Sequence, residues 1–542
     1  MKTALVSLNV NYIHKNLALR WLMVTKPYHH EAMIFEGICK TPLSLLDDIL
    51  LYEPDVVALS IYIFNIDASI SLIKALKEKC PTLKIVAGGP EATYHPEPLW
   101  ACGIDGIFKG ETELVFWDQL DGKTNQGYQS NADEQVEIQR VDLKRLETYP
   151  SPYFLPSDQK DMGQRYLYVE SSRGCPYECT YCMASLDRQV RLFSETYLDV
   201  FFQQLQNSKV KQVKFLDRTF NISKTRALKI AHQCLDMPEG MSFHVELVGD
   251  TLDEELIEFF VNQGQSRFRM EIGVQSLNPQ TLKAVSRVSN LPKLLSLIEL
   301  FSSHQIKQHV DLIAGLPYED LTSFKQSYQG LIKLKPHEIQ VGILKLLYGS
   351  ELKEKAQEYG YIASNVAPYQ IIQSHWMSFD DIQEVEAVAL ATEKTVNTQK
   401  LSEELDLVFQ DEQLLAFDVM RTIGYLIKDL PHPYTNQALY TAVYKGLSKH
   451  IDPNRAKALV NHAYYRNSAL CPPALFPYVF DKTRINKIKE TLNLGQEVKH
   501  LILIDRIDGL QGQTCFIYGQ KGTLRSVVLL DESDHADQKG KS

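Results

Sequence analysis

The chain opens on a short apolar run at residues 3–8, and runs of the same kind return at 32–35, 56–61, 84–87 and 106–108. Between them, residues 16–23 and 69–79 carry the three-to-four spacing of amphipathic helices. Short apolar runs alternating with helical stretches predict a parallel sheet wound with right-handed crossovers. In such open sheets, ligands bind beyond the carboxyl ends of the strands. The fourth run stops at Gly88-Gly89-Pro90 and the fifth shortly before Gly110. These glycines fall where a backbone approaches a ligand, and they serve equally well as tight turns.

Residues 121–135 hold almost nothing to bury and read as a loop that begins a boundary. Residues 146–158 contain three prolines and read as an extended strap between domains. A second alternating series then begins at Tyr166. Strands are expected at 166–170, 213–217, 242–247, 268–274, 309–314 and 338–345, with helices at 198–205, 224–234, 254–262, 279–285, 291–303 and 320–334. Six such repeats predict a partial (β/α) barrel, whose chemistry collects at the carboxyl ends of its strands. From about residue 349 the pattern turns mainly helical (384–395, 412–426) and closes with strand-like runs at 498–505 and 514–518. The last dozen residues are polar and are expected to fray. The fold class is therefore α/β in four parts: a Rossmann-like sheet at 1–140, a linker at 141–165, the partial barrel at 166–349 and a mainly helical region at 350–542.

Composition narrows the function. Among 542 residues, 57 Lys and Arg face 67 Asp and Glu, a net charge of −10. That balance lacks the positive field on which non-specific nucleic-acid binding depends. No stretch approaches 18 consecutive apolar residues, so no membrane span is expected. The amino terminus offers only Lys2 before its first apolar run and reaches Asn9 at once, which reads as a first strand in preference to a signal peptide. Of nine cysteines, Cys39, Cys80, Cys102, Cys234, Cys471 and Cys515 are scattered singly. This is no disulfide scaffold, and a cytoplasmic location is expected.

The other three cysteines lie within eight residues, in Ser171-Ser172-Arg173-Gly174-Cys175-Pro176-Tyr177-Glu178-Cys179-Thr180-Tyr181-Cys182. Their CxxxCxxC spacing sits in the loop after the first barrel strand. Three thiolates on one compact loop can converge on a metal centre without a long closure cost. Structural zinc generally takes four protein ligands as two separated pairs, and here no fourth cysteine or histidine lies nearby. Three ligands leave one coordination position open, as in a catalytic centre; the alternatives are three plain reduced thiols or an adventitious zinc site.

This motif, with Tyr181 before its last cysteine and a six-strand partial barrel behind it, resembles the radical S-adenosylmethionine enzymes. The resemblance implies a 4Fe-4S cluster held by Cys175, Cys179 and Cys182, with the fourth iron chelating S-adenosylmethionine, which one electron cleaves to a 5′-deoxyadenosyl radical. It also implies cofactor contacts from Asp217 and Asn221 after the second strand, from Glu246 at the end of the third, and from Glu271 and Gln275 in the fourth. Asp311-Leu312-Ile313-Ala314-Gly315-Leu316-Pro317 fits the fifth strand. The glycine-glycine-glutamate motif common after the second strand is absent. Glu246, Glu271 and Gln275 can equally satisfy one another as buried barrel polars.

A Rossmann-like domain ahead of that barrel resembles the cobalamin-binding subgroup. The segments that carry the likeness run from Pro54 to Ser60, from Gly88 to Glu91 and from Gly110 to Glu113. They imply corrinoid contacts at Ser60, Gly88, Gly89 and Gly110. The DxHxxG pattern that supplies a lower axial imidazole is missing: Tyr12 and Leu17 stand where Asp and Gly would flank His14, so His14 reads as an ordinary loop residue. The implied activity is methyl transfer to an unactivated centre, with radical rearrangement or cyclisation, or a non-catalytic iron-sulfur or corrinoid-binding module, as alternatives. The implied partners are a small-molecule or peptide substrate, selected by residues 350–542, and a reductant such as flavodoxin or ferredoxin.

Overall fold

The computed structural model describes residues 1–530 apart from 265, 477–481, 493, 495–497, 505–506, 508–512 and 520–521. Its first layer is a six-stranded sheet of β1 (Lys2–Asn9), β2 (Glu31–Ile38), β3 (Val56–Ser60), β4 (Lys84–Gly88), β5 (Gly106–Phe108) and β6 (Tyr128–Gln129), ordered β2-β1-β3-β4-β5-β6. The first five are parallel. All five residues of β3 are buried, as a strand covered by helices on both faces requires.

Two expectations need correction here. The polar segment 121–135 is not wholly loop, because β6 pairs antiparallel with β5 inside it. Its Tyr128 ring packs 4.9 Å from Phe108 and covers Gly106, where a Cβ would collide with it. One aromatic thus recruits a strand that composition hides. The strap is not extended either. It folds into single helical turns at Pro152–Phe154 and Pro156–Asp158, which carry the Asp158 carboxylate onto Arg20 through two bonds of 2.7 and 2.9 Å.

Arg20 belongs to the helix Leu17–Val24, which starts where the Asn16 side chain accepts from the Leu19 amide. Next to it, Trp21 stacks on Phe193 and Tyr197 of the following domain and meets Tyr153 of the strap edge-on.

That domain is the expected open barrel. After β7 (Leu167–Val169) comes a small hairpin of β8 (Ser172–Arg173) and β9 (Arg191–Leu192). The barrel continues with β10 (Gln212–Phe215), β11 (Ser242–Leu247), β12 (Phe268–Gln275), β13 (Lys307–Ala314) and β14 (Glu338–Ile343). The strands lie in sequential order and are all parallel. On one face of β11 and β12, Phe243, Val245, Leu247, Met270, Ile272 and Val274 join the main core. The other face sets His244 and Glu246 beside Arg269 and Glu271 in register, and β13 continues that row with His309 and Asp311.

The C-terminal region contains the expected helices, found at Phe379–Lys394, with a Ser378 and Asp381 capping box, and at Ala416–Lys428. Further helices run at Ser402–Phe409, Asn436–Leu447, Pro453–Arg466 and Lys482–Thr491. A hairpin of β15 (Ile362–Ala363) and β16 (Ile371–Gln373) precedes them. The two strand-like runs become β17 (Val498–Leu503) and β18 (Gln513–Gly519), and β19 (Leu524–Leu530) adds a third antiparallel strand that the sequence reading lacks. Residue 505 and the last dozen residues lie outside those described. Among the described residues, no helix is long and apolar enough to cross a membrane.

One buried acid makes the barrel's stability pH-dependent. Glu319, on the loop after β13, is fully buried and accepts from Ser276 at 2.5 Å and Ser327 at 3.3 Å. Burial outweighs those bonds and pushes its carboxyl up to about 8. A folded value raised above the unfolded one stabilises the protein most below the ordinary carboxyl range and loses that contribution as pH rises toward 8. Glu319→Gln, which keeps the shape and cannot ionise, is expected to flatten this pH dependence and raise the melting temperature above that of the parent at pH 8. Thermal unfolding from pH 5 to 8 checks it.

Candidate active site: a cleft shared by two domains

The three clustered cysteines occupy the loop between β8 and β9. Gly174 opens it at φ +90, where a Cβ would strike the Gln189 carbonyl, so the turn before Cys175 is glycine's for backbone reasons. The Cys175 amide bonds the Asp187 carbonyl at 2.9 Å and the Cys182 amide bonds that of Cys179 at 3.0 Å. Thr180 ties the loop to Val285 and Leu352. Cys179 is buried, while Cys175 and Cys182 are half-buried. Burial raises the Cys182 thiol, and charge on Cys179 and Cys175 adds to this, against the Ala184 amide and the Arg218 guanidinium. Arg287 lies 3.9 Å from the Cys179 sulfur. Three thiols on one loop, flanked by Arg218 and Arg287, make a soft donor set with compensating positive charge. Such a set fits an iron-sulfur cluster.

The other expected residues fall into three groups. Asp217 and Asn221 act as braces. Asp217 is buried and spends both oxygens on the Ser171 amide and hydroxyl and the Ser172 hydroxyl, at 2.6–2.9 Å. Asn221 bonds both backbone groups of Val248 and the Thr251 hydroxyl, joining the rims after β10 and β11.

Glu246, Glu271 and Gln275 line the barrel's polar row. Burial, with Glu271 and Asp311 near by, pushes the Glu246 carboxyl up to about 7 against the Arg218 guanidinium 3.3 Å away. Glu271 goes the other way: burial would raise it, but the bond from His244 at 2.9 Å and the charges on His244, His309 and Arg218 hold it below the ordinary range. Gln275 is 9% exposed, sits at φ +71, and its side-chain oxygen is buried without a hydrogen-bond partner among the described residues. An orphaned acceptor at the carboxyl end of a barrel strand is a place for a ligand donor to bind.

Ser60, Gly88, Gly89 and Gly110 come together on one wall of a cavity of about 730 Å³ beyond the carboxyl ends of β1, β3, β4 and β5. Gly89 (φ +104) and Gly110 (φ +83) are fixed by the fold, since a Cβ would strike the Ile61 and Gln139 carbonyls respectively. Gly88 differs: a Cβ there meets only Phe108, at an ordinary 3.6 Å. Small residues thus leave that wall low, and the volume suits a cofactor-sized ligand. His14 is no free loop residue, because it forms part of the wall and its Nδ1 lies 2.5 Å from the Tyr168 hydroxyl. Burial, then Lys214 and Arg165, lower its pKa.

The opposite wall belongs to the barrel domain: Tyr168, Glu170, Ser172, Arg173 and Gly174. Sequence reasoning missed its organising group. Arg173 ion-pairs with Glu170 at 2.9 Å and, across the domain boundary, with Glu113 at 2.8 Å and Glu111 at 3.5 Å. Arg191 and Asp187 extend the network through Glu111. The signal was present as Arg173 beside Gly174-Cys175 and as two glutamates beside Gly110, but nothing local pairs them.

A parallel sheet with its cavity at the carboxyl edge, joined to a six-strand barrel with a three-cysteine loop, defines a two-domain cofactor protein. Residues 4–117 match the B12 binding domain and residues 169–330 the Radical SAM superfamily. The chain therefore carries a cobalamin-type domain ahead of a radical S-adenosylmethionine domain. Residues 357–503 match a protein of unknown function (DUF4080). The chain is 26% identical to the cobalamin-dependent radical SAM methyltransferase TokK of Streptomyces tokunonensis, over 57% of this chain and 50% of TokK, so it spans about half of that relative's length. It is 22% identical to an uncharacterized methyltransferase of Pyrococcus horikoshii, over 76% of this chain and 91% of the other. Among solved structures, the cobalamin-dependent S-adenosylmethionine radical enzyme OxsB matches with a TM-score of 0.58 at 17% identity, over 91% of this chain and 75% of that one. TsrM of Kitasatospora setae matches at 0.55 and 15%, over 68% and 81%. Both likenesses are of fold.

The clustered thiols make a direct prediction. Replacing Cys175, Cys179 and Cys182 together by Ala is expected to abolish the iron and sulfide that the anaerobically reconstituted chain retains. Cys234→Ala, at a fully buried core site remote in sequence from the loop, is expected to retain them. Iron and acid-labile sulfide assays read both.

Proposed function

We propose that this chain is a cytoplasmic iron-sulfur enzyme that uses S-adenosylmethionine and cobalamin to methylate an unactivated carbon or phosphorus centre. The observation that carries this reading is the shared cleft, whose walls are the carboxyl edge of the first sheet and the cysteine hairpin of the barrel. When bound, the two groups supply a carbon-centred radical and a transferable methyl group.

The chain's own residues hold, orient and shield. Cys175, Cys179 and Cys182 would bind the cluster, with Arg218 and Arg287 offsetting its charge. Gln275 offers its free acceptor to S-adenosylmethionine, while Glu246 and Glu271 present one carboxyl near neutrality and one ionised. Ser60 and Gly88 would receive the corrin edge. Asp217 and Asn221 position the rims. Residues 350–542 would close the barrel mouth and choose the substrate. In support, Tyr361 donates to the Gly315 carbonyl just after β13 at 2.8 Å, and Ile371 packs against Gly315. A low-potential reductant such as flavodoxin or ferredoxin completes the system.

Two measurements test the reading. Reduced holoprotein given S-adenosylmethionine and cell extract is expected to release 5′-deoxyadenosine together with S-adenosylhomocysteine. 5′-Deoxyadenosine alone would point to rearrangement or cyclisation, and neither product would point to a non-catalytic module. Gly88→Leu, at a position with room for a Cβ but on the cavity wall, is expected to weaken hydroxocobalamin binding at least tenfold with iron content unchanged, as read by optical titration.

A further inference from the structure

We propose that His29, His30 and Asp121 form a binding site for a zinc-type divalent transition metal, at the edge of the first sheet opposite the cleft. His30 immediately precedes β2, and Asp121 immediately follows the helix Phe116–Leu120. Both stand on the amino side of the strands, whereas the cofactor cavity lies beyond their carboxyl ends.

The donor geometry is already assembled. Asp121 lies between the two rings, its Oδ2 at 2.9 Å from His29 Nε2 and its Oδ1 at 2.8 Å from His30 Nε2. The three ligand atoms all lie within 4.8 Å of one another. A zinc ion bound by two imidazoles and a carboxylate sits about 2.0–2.2 Å from each ligand, so small side-chain adjustments bring them onto one centre. Two imidazole nitrogens with one carboxylate select a borderline ion such as zinc over magnesium or calcium, which take oxygen.

The site is rigid on one side and open on the other. The His30 side chain is 1% exposed and packs 5.0 Å from the Trp117 ring. The His29 side chain is 44% exposed, which leaves an entry path and room for water as a fourth ligand. In the empty site His30 Nε2–H donates to Asp121 Oδ1, so a bound ion displaces that proton; Nδ1, which has no hydrogen-bond partner among the described residues, can carry it instead. Lys123 competes for the site. Its ammonium lies 2.8 Å from Asp121 Oδ2, but the side chain is 56% exposed and can swing into solvent. A bound ion would staple the entry to β2 to a helix end 91 residues away in sequence.

The test uses the full-length, cluster-loaded chain titrated with zinc chloride by calorimetry, with zinc-edge X-ray absorption on the bound sample. Expected is one equivalent whose first shell is nitrogen and oxygen at about 2.0–2.1 Å, without sulfur at about 2.3 Å. His29→Gln and Asp121→Asn, both at surface-accessible positions, are expected to weaken binding at least tenfold. Lys123→Ala is expected to tighten it severalfold, which a merely structural ion-pair role would not do. Sulfur in the shell, or affinity unchanged in both His29→Gln and Asp121→Asn, would overturn the proposal.

Discussion

A single buried guanidinium governs how this molecule closes. Arg173 is 8% exposed, and a charge so placed is tolerated only with partners at hydrogen-bond distance. Its own domain supplies Glu170; the other partners, Glu111 and Glu113, come from the loop after β5 of the first domain. Arg173 also directly precedes Gly174 and Cys175. The backbone that carries the cysteines is therefore seated by carboxylates of the domain across the cleft, and pulling the domains apart would strand the charge. The carboxyls divide the work. Burial raises Glu113 despite Arg173 beside it. At Glu111 burial loses to the bonds from Arg191 and the charge on Arg173, which hold it low. The two carboxyls are thus driven in opposite directions beside the same guanidinium.

A second network closes the same boundary from the side of the strap. Arg20 reaches both Glu36 and Asp158, and Lys15 reaches Asp158 and Asp161, all with side chains 12% exposed or less. The two networks flank the cavity. Single exposed ion pairs contribute little, but a buried network that ties the first domain to the strap loses several partners at once when the two part. Beside these charges, the boundary is packed by the apolar cluster of Trp21, Val141, Leu143, Leu146 and Phe193.

Much of the fold was legible because parallel strands buried on both faces write themselves as short apolar runs. The strands Gly106–Phe108 and Ser242–Leu247 and the helix Leu291–Ser303 keep the bounds read from sequence. What escaped was long-range. β2 extends to Ile38 through Glu36, a residue that looks like an end until Arg20 neutralises it. β6 exists because Tyr128 finds Gly106 and Phe108. The cysteines announced themselves by spacing alone, since their chemistry is local, whereas Arg173 could not announce Glu113 some 60 residues earlier. Asp217 has a role that no local pattern announces. Its place at the end of a barrel strand suggested a ligand contact, and the structure spends its carboxylate on bracing Ser171 and Ser172.

The barrel's polar row explains why local pattern could not rank Glu246, Glu271 and Gln275. Set in register on adjacent strands, Glu246 lies beside Glu271 and Glu271 beside His309. The row balances most of its charge internally: Arg218 on Glu246, His244 on Glu271, His309 on Asp311. Glu246 stands apart in that row: burial, with Glu271 and Asp311 near by, pushes its carboxyl up to about 7 although Arg218 opposes them. The charge on Arg218 also acts on the Cys182 thiol, which it lowers against burial. The barrel's polar row and the cysteine loop therefore share one arginine, Arg218, just as Arg173 joins the same loop to the first domain.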